Sequence, residues 1–198
     1  MPVHNSKLGP KVLLRLEAVK SFADPAVIET HAGLGVLFAK CYQSMRSGLA
    51  FDLDKEKAMR LTLQRPYWRV YCGDSRKALA AGFDDGHRYN VLDVDAFGDP
   101  WPHVRALLAG PLPKDECMLV VTDGLKSSCR IGNAWRVETL KPYVRKMGVR
   151  LYQSFDELHK EIARDYCGAA GYECEVLKVA STRTVVYSLS RLVRKRPG

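Results

Sequence analysis

Residues 91–102 read Val-Leu-Asp-Val-Asp-Ala-Phe-Gly-Asp-Pro-Trp-Pro. An apolar strand pattern runs here into three acids, two aromatic residues and a glycine, and two prolines then end the regular structure. In an α/β sheet, ligands bind at the carboxyl ends of the strands. The segment therefore predicts a central strand whose end forms part of a binding site.

Strand and helix patterns alternate on both sides of this segment. Strands are predicted at 26–30, 48–52, 67–72, 88–93 and 117–122, and helices at 11–23, 33–46, 54–66, from 73 onward, 101–109, 136–147 and 154–168. Two further strands, 172–180 and 184–189, are joined by a tight polar turn and predict an antiparallel hairpin. We therefore expect an α/β fold with a doubly wound, mostly parallel, seven-stranded Rossmann-like sheet, a C-terminal antiparallel β-hairpin and an antiparallel strand at its edge.

The chain has 198 residues, which is enough for one domain with its own core and short for two. No linker or internal repeat interrupts the pattern, and 123–135 is the one interval that resembles a loop. We expect a single domain over 1–198, with a helical extension at 1–25 and a basic tail at 191–198.

The composition is that of a soluble globular protein, with 46% apolar and 27% charged residues. No apolar run approaches the roughly 20 residues of a membrane helix. Charged residues interrupt the apolar residues near the N-terminus, so we expect no signal peptide and a cytoplasmic protein. The six cysteines form no C-x-x-C pair and the five histidines are scattered, which favours reduced thiols and no metal site.

The formal net charge of +9 favours a polyanionic partner, of which nucleic acid is the usual one. Lys126, Arg130 and Arg136 flank the interval after the fifth strand, and we predict that they contact phosphates. Two other basic groups are interpreted as solvated surface. These are the first helix, with Lys7, Lys11, Arg15 and Lys20, and the tail, with Arg191, Arg194, Lys195 and Arg196.

A glycine turn follows the first strand, in the sequence Glu29-Thr30-His31-Ala32-Gly33-Leu34-Gly35. Small residues let the backbone approach a ligand closely, and the start of the next helix offers free N–H groups. The turn therefore predicts a ligand-binding loop.

Acidic residues end the second and third strands. Asp52 follows the glycine turn by just under 20 residues and could hold two ribose hydroxyls, whereas Asp54 is assigned to capping the next helix. Asp74 could accept a hydrogen bond from an adenine amino group, or it could cap the helix that begins near Ser75.

Together these features resemble the class I S-adenosylmethionine-dependent methyltransferases, which also end in a hairpin with one antiparallel strand. Glu29, Gly33 and Gly35 match the family's acid-x-G-x-G-x-G loop, and His31 replaces its first glycine. The resemblance implies S-adenosylmethionine as the cofactor. The implied cofactor-binding residues are Glu29, His31, Ala32, Gly33, Gly35, Asp52, Leu53, Asp74, Ser75 and Asp93.

The segment after strand four resembles the D-x-D-P-F-G-S-P motif of the tRNA guanine-N2 methyltransferases. The matching residues are Asp93, Asp95, Phe97, Gly98 and Pro100, whereas Ala96 and Asp99 replace Pro and Ser. Thr122-Asp123 also matches a Thr-Asp pair that this family carries after strand five.

The resemblance implies a role for each residue of the segment. Asp95 would accept N–H bonds from an exocyclic base amine, orienting its lone pair and stabilising the developing charge. Phe97 and Trp101 would stack on a flipped-out base, and Asp99 would read a ring N–H. The alternatives are that both aromatic residues belong to the core and that Asp99-Pro100 caps the following helix.

Two histidines, His31 and His103, are expected near the site in structural roles. The function predicted from the sequence is methyl transfer to an exocyclic base amine of nucleic acid, RNA before DNA, with a tRNA-like substrate. The alternatives are methylation of a protein or small-molecule amine, and a binding module that keeps the cofactor fold without turnover.

Overall fold

The computed structural model describes residues 8–196. A seven-stranded sheet forms its centre, in the order β3-β2-β1-β4-β5-β7-β6. Neighbouring strands from β3 through β5 are parallel, and β7 is antiparallel to both β5 and β6. The strands are β1 (Val27–Glu29), β2 (Gly48–Asp52), β3 (Arg69–Cys72), β4 (Tyr89–Val94), β5 (Pro113–Asp123), β6 (Tyr172–Ser181) and β7 (Val186–Arg194). The predicted doubly wound, mostly parallel sheet and the terminal hairpin are confirmed.

The antiparallel strand does not lie at the edge of the sheet, so that part of the prediction is wrong. β7 pairs with β5 from Asp123 opposite Val186 to Glu116 opposite Val193, and β6 forms the edge beyond it. The reason is burial: residues 186–190 of β7 are all buried, which suits an inner strand, whereas β6 is mostly exposed or half-buried, which suits an edge strand.

The predicted basic tail is also wrong for its first residues, because Arg191 and Arg194 lie within β7. Arg191 pairs with Glu116, and Arg194 lies over the ring of Tyr172. Residues 197–198 lie outside the described part of the chain.

Seven α-helices flank the sheet within the described residues. They are α1 (Leu8–Lys20), α2 (Lys55–Gln64), α3 (Ser75–Ala80), α4 (Trp101–Ala109), α5 (Leu125–Arg130), α6 (Lys141–Met147) and α7 (Phe155–Ala169). A π-helical turn spans Phe38–Tyr42, and 3₁₀ turns span Ala134–Arg136, Glu138–Leu140 and Gly148–Leu151.

Three helical segments differ most from the sequence-based expectation. The long helix predicted after Gly35 is only a short helical segment around the π turn, and α5 lies in the interval predicted as a loop. The helix predicted from 136 begins at Lys141, where Pro142 occupies its first turn and favours a helix start.

Two hydrophobic clusters lie on opposite faces of the sheet. Ile28, Leu92 and Leu119 face the cluster that contains α4 and α7. The adjacent residues Val27 and Val91 face the cluster that contains α1 and the π-helical turn. Successive strand residues point to opposite faces, and each face is covered by helices. A ligand therefore reaches the sheet only at the ends of its strands. Across residues 8–196, no helix combines the length and apolar character needed to cross a membrane.

Candidate functional site

The glycine turn after β1 is held by backbone hydrogen bonds and by two positive φ angles. Gly33 has φ 57° and Gly35 has φ 77°, conformations that glycine adopts without the strain of a side chain. A Cβ atom at Gly35 would lie 2.6 Å from Oε1 of Gln64, whereas one at Gly33 would meet no atom within 4 Å. Gly35 therefore serves packing against α2, and Gly33 leaves open space above the turn.

Asp52 links the glycine turn to the end of β2. Its Oδ2 accepts a hydrogen bond from the Gly33 N–H at 2.8 Å, and its Oδ1 accepts one from the Asp54 N–H at 2.9 Å. Each carboxylate oxygen keeps a second lone pair for a ligand hydroxyl. The Leu53 side chain beside it is 70% exposed, so an apolar surface adjoins the carboxylate.

The assignment of Asp54 to capping is confirmed. Its carboxylate accepts hydrogen bonds from the N–H groups of Glu56 and Lys57 at the start of α2. The two acids at the end of β2 thus have different roles, and only Asp52 faces the glycine turn.

Asp74 caps α3, which confirms the capping alternative. Its Oδ1 accepts a bond from the Arg76 N–H at 2.9 Å, and the Arg76 guanidinium binds both of its oxygens. The hydrogen bonds from Arg76 lower the pKa of Asp74 to about 2. A contact between Asp74 and adenine remains a prediction.

Two histidine rings pack against each other behind this edge. The rings of His31 and His103 meet edge to face at 4.2 Å, and the Nδ1 of His103 lies 2.9 Å from the buried Oγ of Ser75. Burial lowers the pKa of His31 and, together with the nearby charges of His31 and Arg76, lowers that of His103 to about 3. Both rings are neutral at pH 7. The Ser75 side chain is buried against His103, and a contact of this residue with a cofactor remains a prediction.

Two predicted cofactor-binding acids, Glu29 and Asp93, are buried in ion pairs beneath the site. Glu29 is paired with the buried Arg65, and burial raises the pKa of Glu29 to about 7 against the attraction of that arginine. Asp93 binds the guanidinium of Arg15 through both oxygens, at 2.7 and 2.6 Å, and accepts a third bond from the Tyr42 hydroxyl. Neither carboxylate reaches the surface, so both acids hold the ends of β1 and β4 in place, and a contact of either residue with a cofactor remains a prediction.

Two cations of α1, Lys11 and Arg15, meet the acids at the end of β4. The Nζ of Lys11 lies 2.6 and 2.8 Å from the two carboxylate oxygens of Asp95, and Nη2 of Arg15 lies 3.8 Å from Asp95. Burial raises the pKa of Asp95, but the charges of Arg15 and Lys11 outweigh that effect and hold it below its ordinary value. The interpretation of these two cations as solvated surface is wrong.

The two aromatic residues of the β4 segment have opposite environments. Phe97 is fully exposed. Trp101 is 0% exposed and donates its indole N–H to Asp123 at 3.1 Å, among the rings of His159 and Tyr166. The prediction that Trp101 stacks on a base is wrong, because the first turn of α4 faces α7 in the core.

Asp99 has the capping role that the alternative interpretation gave it. Its Oδ1 accepts the Trp101 N–H at 3.0 Å, and its Oδ2 accepts the Thr139 hydroxyl at 2.7 Å. Burial raises the pKa of Asp99. Recognition of a ring N–H by this residue remains a prediction.

Of the three predicted phosphate contacts, Lys126 is engaged inside the protein. It pairs with Asp156 at 2.7 Å and with Ser181, and its contact with a phosphate remains a prediction. Arg130 and Arg136 are exposed, and the Arg136 guanidinium lies 4.6 Å from the ring centre of Trp135. In the part of the chain described by the structure, no group of three or more His, Cys, Asp or Glu side chains is arranged to hold a metal ion.

The strand order, the single antiparallel strand and the glycine turn after β1 define the fold of the class I S-adenosylmethionine-dependent methyltransferases. Structural comparison supports this fold. Trm1 from Pyrococcus horikoshii, in complex with S-adenosylmethionine, matches with a TM-score of 0.73 and 12% identity over 98% of this chain and 57% of that one. The chain thus spans little more than half the length of that Trm1.

Two further solved structures match over most of both chains. The fibrillarin pre-rRNA processing protein of Methanococcus jannaschii has a TM-score of 0.61 and 12% identity, over 97% of this chain and 76% of that one. The plantazolicin methyltransferase BpumL, bound to a desmethylPZN analog and SAH, has a TM-score of 0.61 and 9% identity, over 96% and 86%. No family model and no curated protein matches the sequence.

Proposed function

We propose that the protein is an S-adenosylmethionine-dependent methyltransferase that modifies an exocyclic amine of a nucleic-acid base, in RNA before DNA. The observation that carries the proposal is the end of β4 within a methyltransferase fold. There the ionised carboxylate of Asp95 lies two residues before the fully exposed ring of Phe97. The glycine turn and Asp52 lie at the same edge of the sheet.

The residues at the ends of β1 and β2 fit the cofactor. The backbone at Gly33, with open space above it, the remaining lone pairs of Asp52 and the exposed surface of Leu53 would hold it. His31 and Ala32 shape the same turn. When bound, the cofactor supplies an electrophilic methyl group on a sulfonium sulfur.

Asp95 would act on the amine that receives the methyl group. An exocyclic amine is a poor nucleophile because its lone pair is delocalised into the ring, and a carboxylate that accepts its N–H bonds orients that lone pair. Lys11 occupies one direction at each oxygen and leaves further lone pairs for the amine. Since the pKa of Asp95 is lowered, the carboxylate stabilises developing positive charge and does not act as a strong base.

Charge and neighbours support nucleic acid as the substrate class. The chain carries a net charge of +9, and the exposed Arg130 and Arg136 follow β5 at the same edge as Phe97. The matching fibrillarin is a pre-rRNA processing protein. The match to the plantazolicin methyltransferase supports a second candidate, methylation of a small-molecule amine.

Calorimetric titration with S-adenosylmethionine tests the cofactor. We expect binding that is weakened at least tenfold by Asp52→Ala, since one hydrogen bond to a charged group contributes about 1.5–3 kcal/mol. Asp54→Ala is the matched control, because it removes a neighbouring carboxylate that only caps α2. The absence of binding by the wild-type protein would contradict the cofactor assignment.

Transfer of tritiated methyl groups to RNA, DNA, protein and small-amine fractions in parallel tests the substrate. We expect label in RNA, with a loss of about 100-fold in rate for Asp95→Asn. Label confined to protein or small amines would contradict nucleic acid as the substrate, although the assignment of methyltransferase activity would stand. Full activity of Asp95→Asn would remove Asp95 from its assigned role.

A further inference from the structure

Both ends of the segment 124–139, which we call the arch, rest on the residues directly after Phe97. At its start, the Gly124 N–H donates to the Gly98 carbonyl at 2.9 Å. At its end, the Thr139 hydroxyl donates to Asp99 at 2.7 Å. Both ends of the arch are therefore fixed to the residues that follow Phe97, at the carboxyl ends of β4 and β5.

The arch has a defined internal structure. It begins with α5, and the Asn133 N–H then donates to the Ser128 carbonyl at 2.9 Å. The 3₁₀ turn Ala134–Arg136 follows, and Ala134 is buried in the core. Trp135 thus projects from a backbone that is fixed on both sides. Binding of a partner would therefore cost little conformational entropy of the arch.

The exposed face of the arch combines apolar and cationic side chains. Trp135 is 58% exposed, and Ile131 is also exposed. The Arg136 guanidinium stacks on the Trp135 ring, and Arg130 is exposed at the end of α5, six residues before Arg136. An exposed indole loses part of the hydrophobic stabilisation that a buried one would provide. The packing of the core does not explain why a tryptophan occupies this exposed position.

We propose that Trp135, with Arg136 stacked on it, is a second platform that holds an unpaired nucleotide next to the one presented at Phe97, with Arg130 contacting the backbone phosphate. Resting on the proposed function, this narrows the substrate to RNA that is single-stranded at the target. Aromatic rings interleaved with cations bind unpaired bases of any sequence, because every base has a stacking face. A duplex hides those faces.

The charge of the arch favours nucleic acid over an acidic or apolar protein surface. Its one acidic residue, Glu138, is paired with Lys141, and the inward-facing Lys126 is paired with Asp156. Arg130 and Arg136 remain as outward cations beside flat aromatic surface. Cations beside flat aromatic surface suit a strand that alternates phosphates and bases.

Fluorescence anisotropy with a labelled unpaired RNA oligonucleotide, and with the same strand in a duplex, tests the platform. We expect tighter binding of the unpaired strand and a loss of about 5- to 100-fold for Trp135→Ala, with Trp135→Phe close to wild type. Tyr67→Ala is the matched control, because it removes an exposed aromatic residue that precedes β3 and so lies at the opposite edge of the sheet.

Three outcomes separate the platform from the proposed function, with S-adenosylmethionine binding measured on every variant. RNA binding and methylation that are insensitive to Trp135→Ala would overturn the platform alone. Cofactor binding without RNA binding by the wild-type protein would overturn both the RNA substrate and the platform. A protein or small-amine acceptor whose KM rises in Trp135→Ala would overturn the platform as a nucleotide site.

Discussion

Lys11 contacts both carboxylate oxygens of Asp95 directly. The pair is only partly accessible, with side-chain exposures of 24% and 16%, so water screens the attraction incompletely. Lys11 fixes the orientation of the carboxylate and, with Arg15, keeps it ionised. A positioning role of this kind is testable separately from a direct contact with the substrate.

Replacing Lys11 by methionine is expected to change both the pH profile and the stability. Loss of the cation raises the pKa of Asp95, so the acid limb of the pH–rate profile moves to higher pH. The free energy of unfolding falls by about 1–3 kcal/mol, as for other partly buried groups that lose a partner. Methyl-transfer rates across pH and urea denaturation measure the two effects. Lys20→Met, on the exposed end of the same helix, is the control, and an unchanged acid limb would contradict the positioning role.

The low pKa of His103 predicts that the protein loses stability in mild acid. Its pKa is about 3 in the folded protein and about 6.5 when unfolded, so below pH 6.5 the proton binds preferentially to the unfolded chain. The free energy of unfolding therefore falls by about 2 kcal/mol between pH 7 and pH 5 from this residue. Urea denaturation at the two pH values measures the change. His103→Asn should remove it while keeping a partner for Ser75, and replacement of the exposed His87 should not.

At the scale of elements, α1 is fastened to the sheet by a buried ion pair. Arg15 is fully buried and binds Asp93 through both carboxylate oxygens, and the hydroxyl of Tyr42 completes the group. Burying two charges costs desolvation that only this close geometry offsets. The helix therefore belongs to the structural unit that carries the site.

Breaking this pair from one side is expected to be costly. Arg15→Met leaves Asp93 buried without its cation and should lower the free energy of unfolding by about 3–5 kcal/mol. The double variant Arg15→Met/Asp93→Asn should cost less than the sum of the two single changes. A double-mutant cycle by urea denaturation measures the coupling, and additive effects would contradict it.

Sequence patterns predicted elements whose signals are local. The β4 pattern, the Asp54 cap and the terminal hairpin depend on neighbouring residues, and all three were correct. The Arg15–Asp93 pair joins positions 78 residues apart, so no local pattern reveals it. Phe97 and Trp101 share one segment, and only the packing of α4 on α7 exposes the first and buries the second.

The charge of the whole molecule predicts salt-dependent binding of RNA. With a net charge of +9, affinity should fall linearly on a plot of log K against log salt concentration. Each phosphate contact on a single strand contributes a slope of about 0.7, so Arg130→Ala should reduce the slope by about 0.7. Anisotropy titrations at several salt concentrations measure it. Arg60→Ala, on the exposed face of α2, is the control, and an unchanged slope would contradict phosphate contacts by the arch.

The position of β7 between β5 and β6 constrains the order in which the molecule folds. β6 precedes β7 in the chain, but β6 pairs only with β7 and therefore joins the sheet through it. Closing the short β6–β7 turn costs far less chain entropy than pairing β7 with β5 across α5, α6 and α7. We therefore expect the hairpin to form first and to dock on β5 as one unit, so that the rate-limiting step of folding lies at the β5–β7 seam.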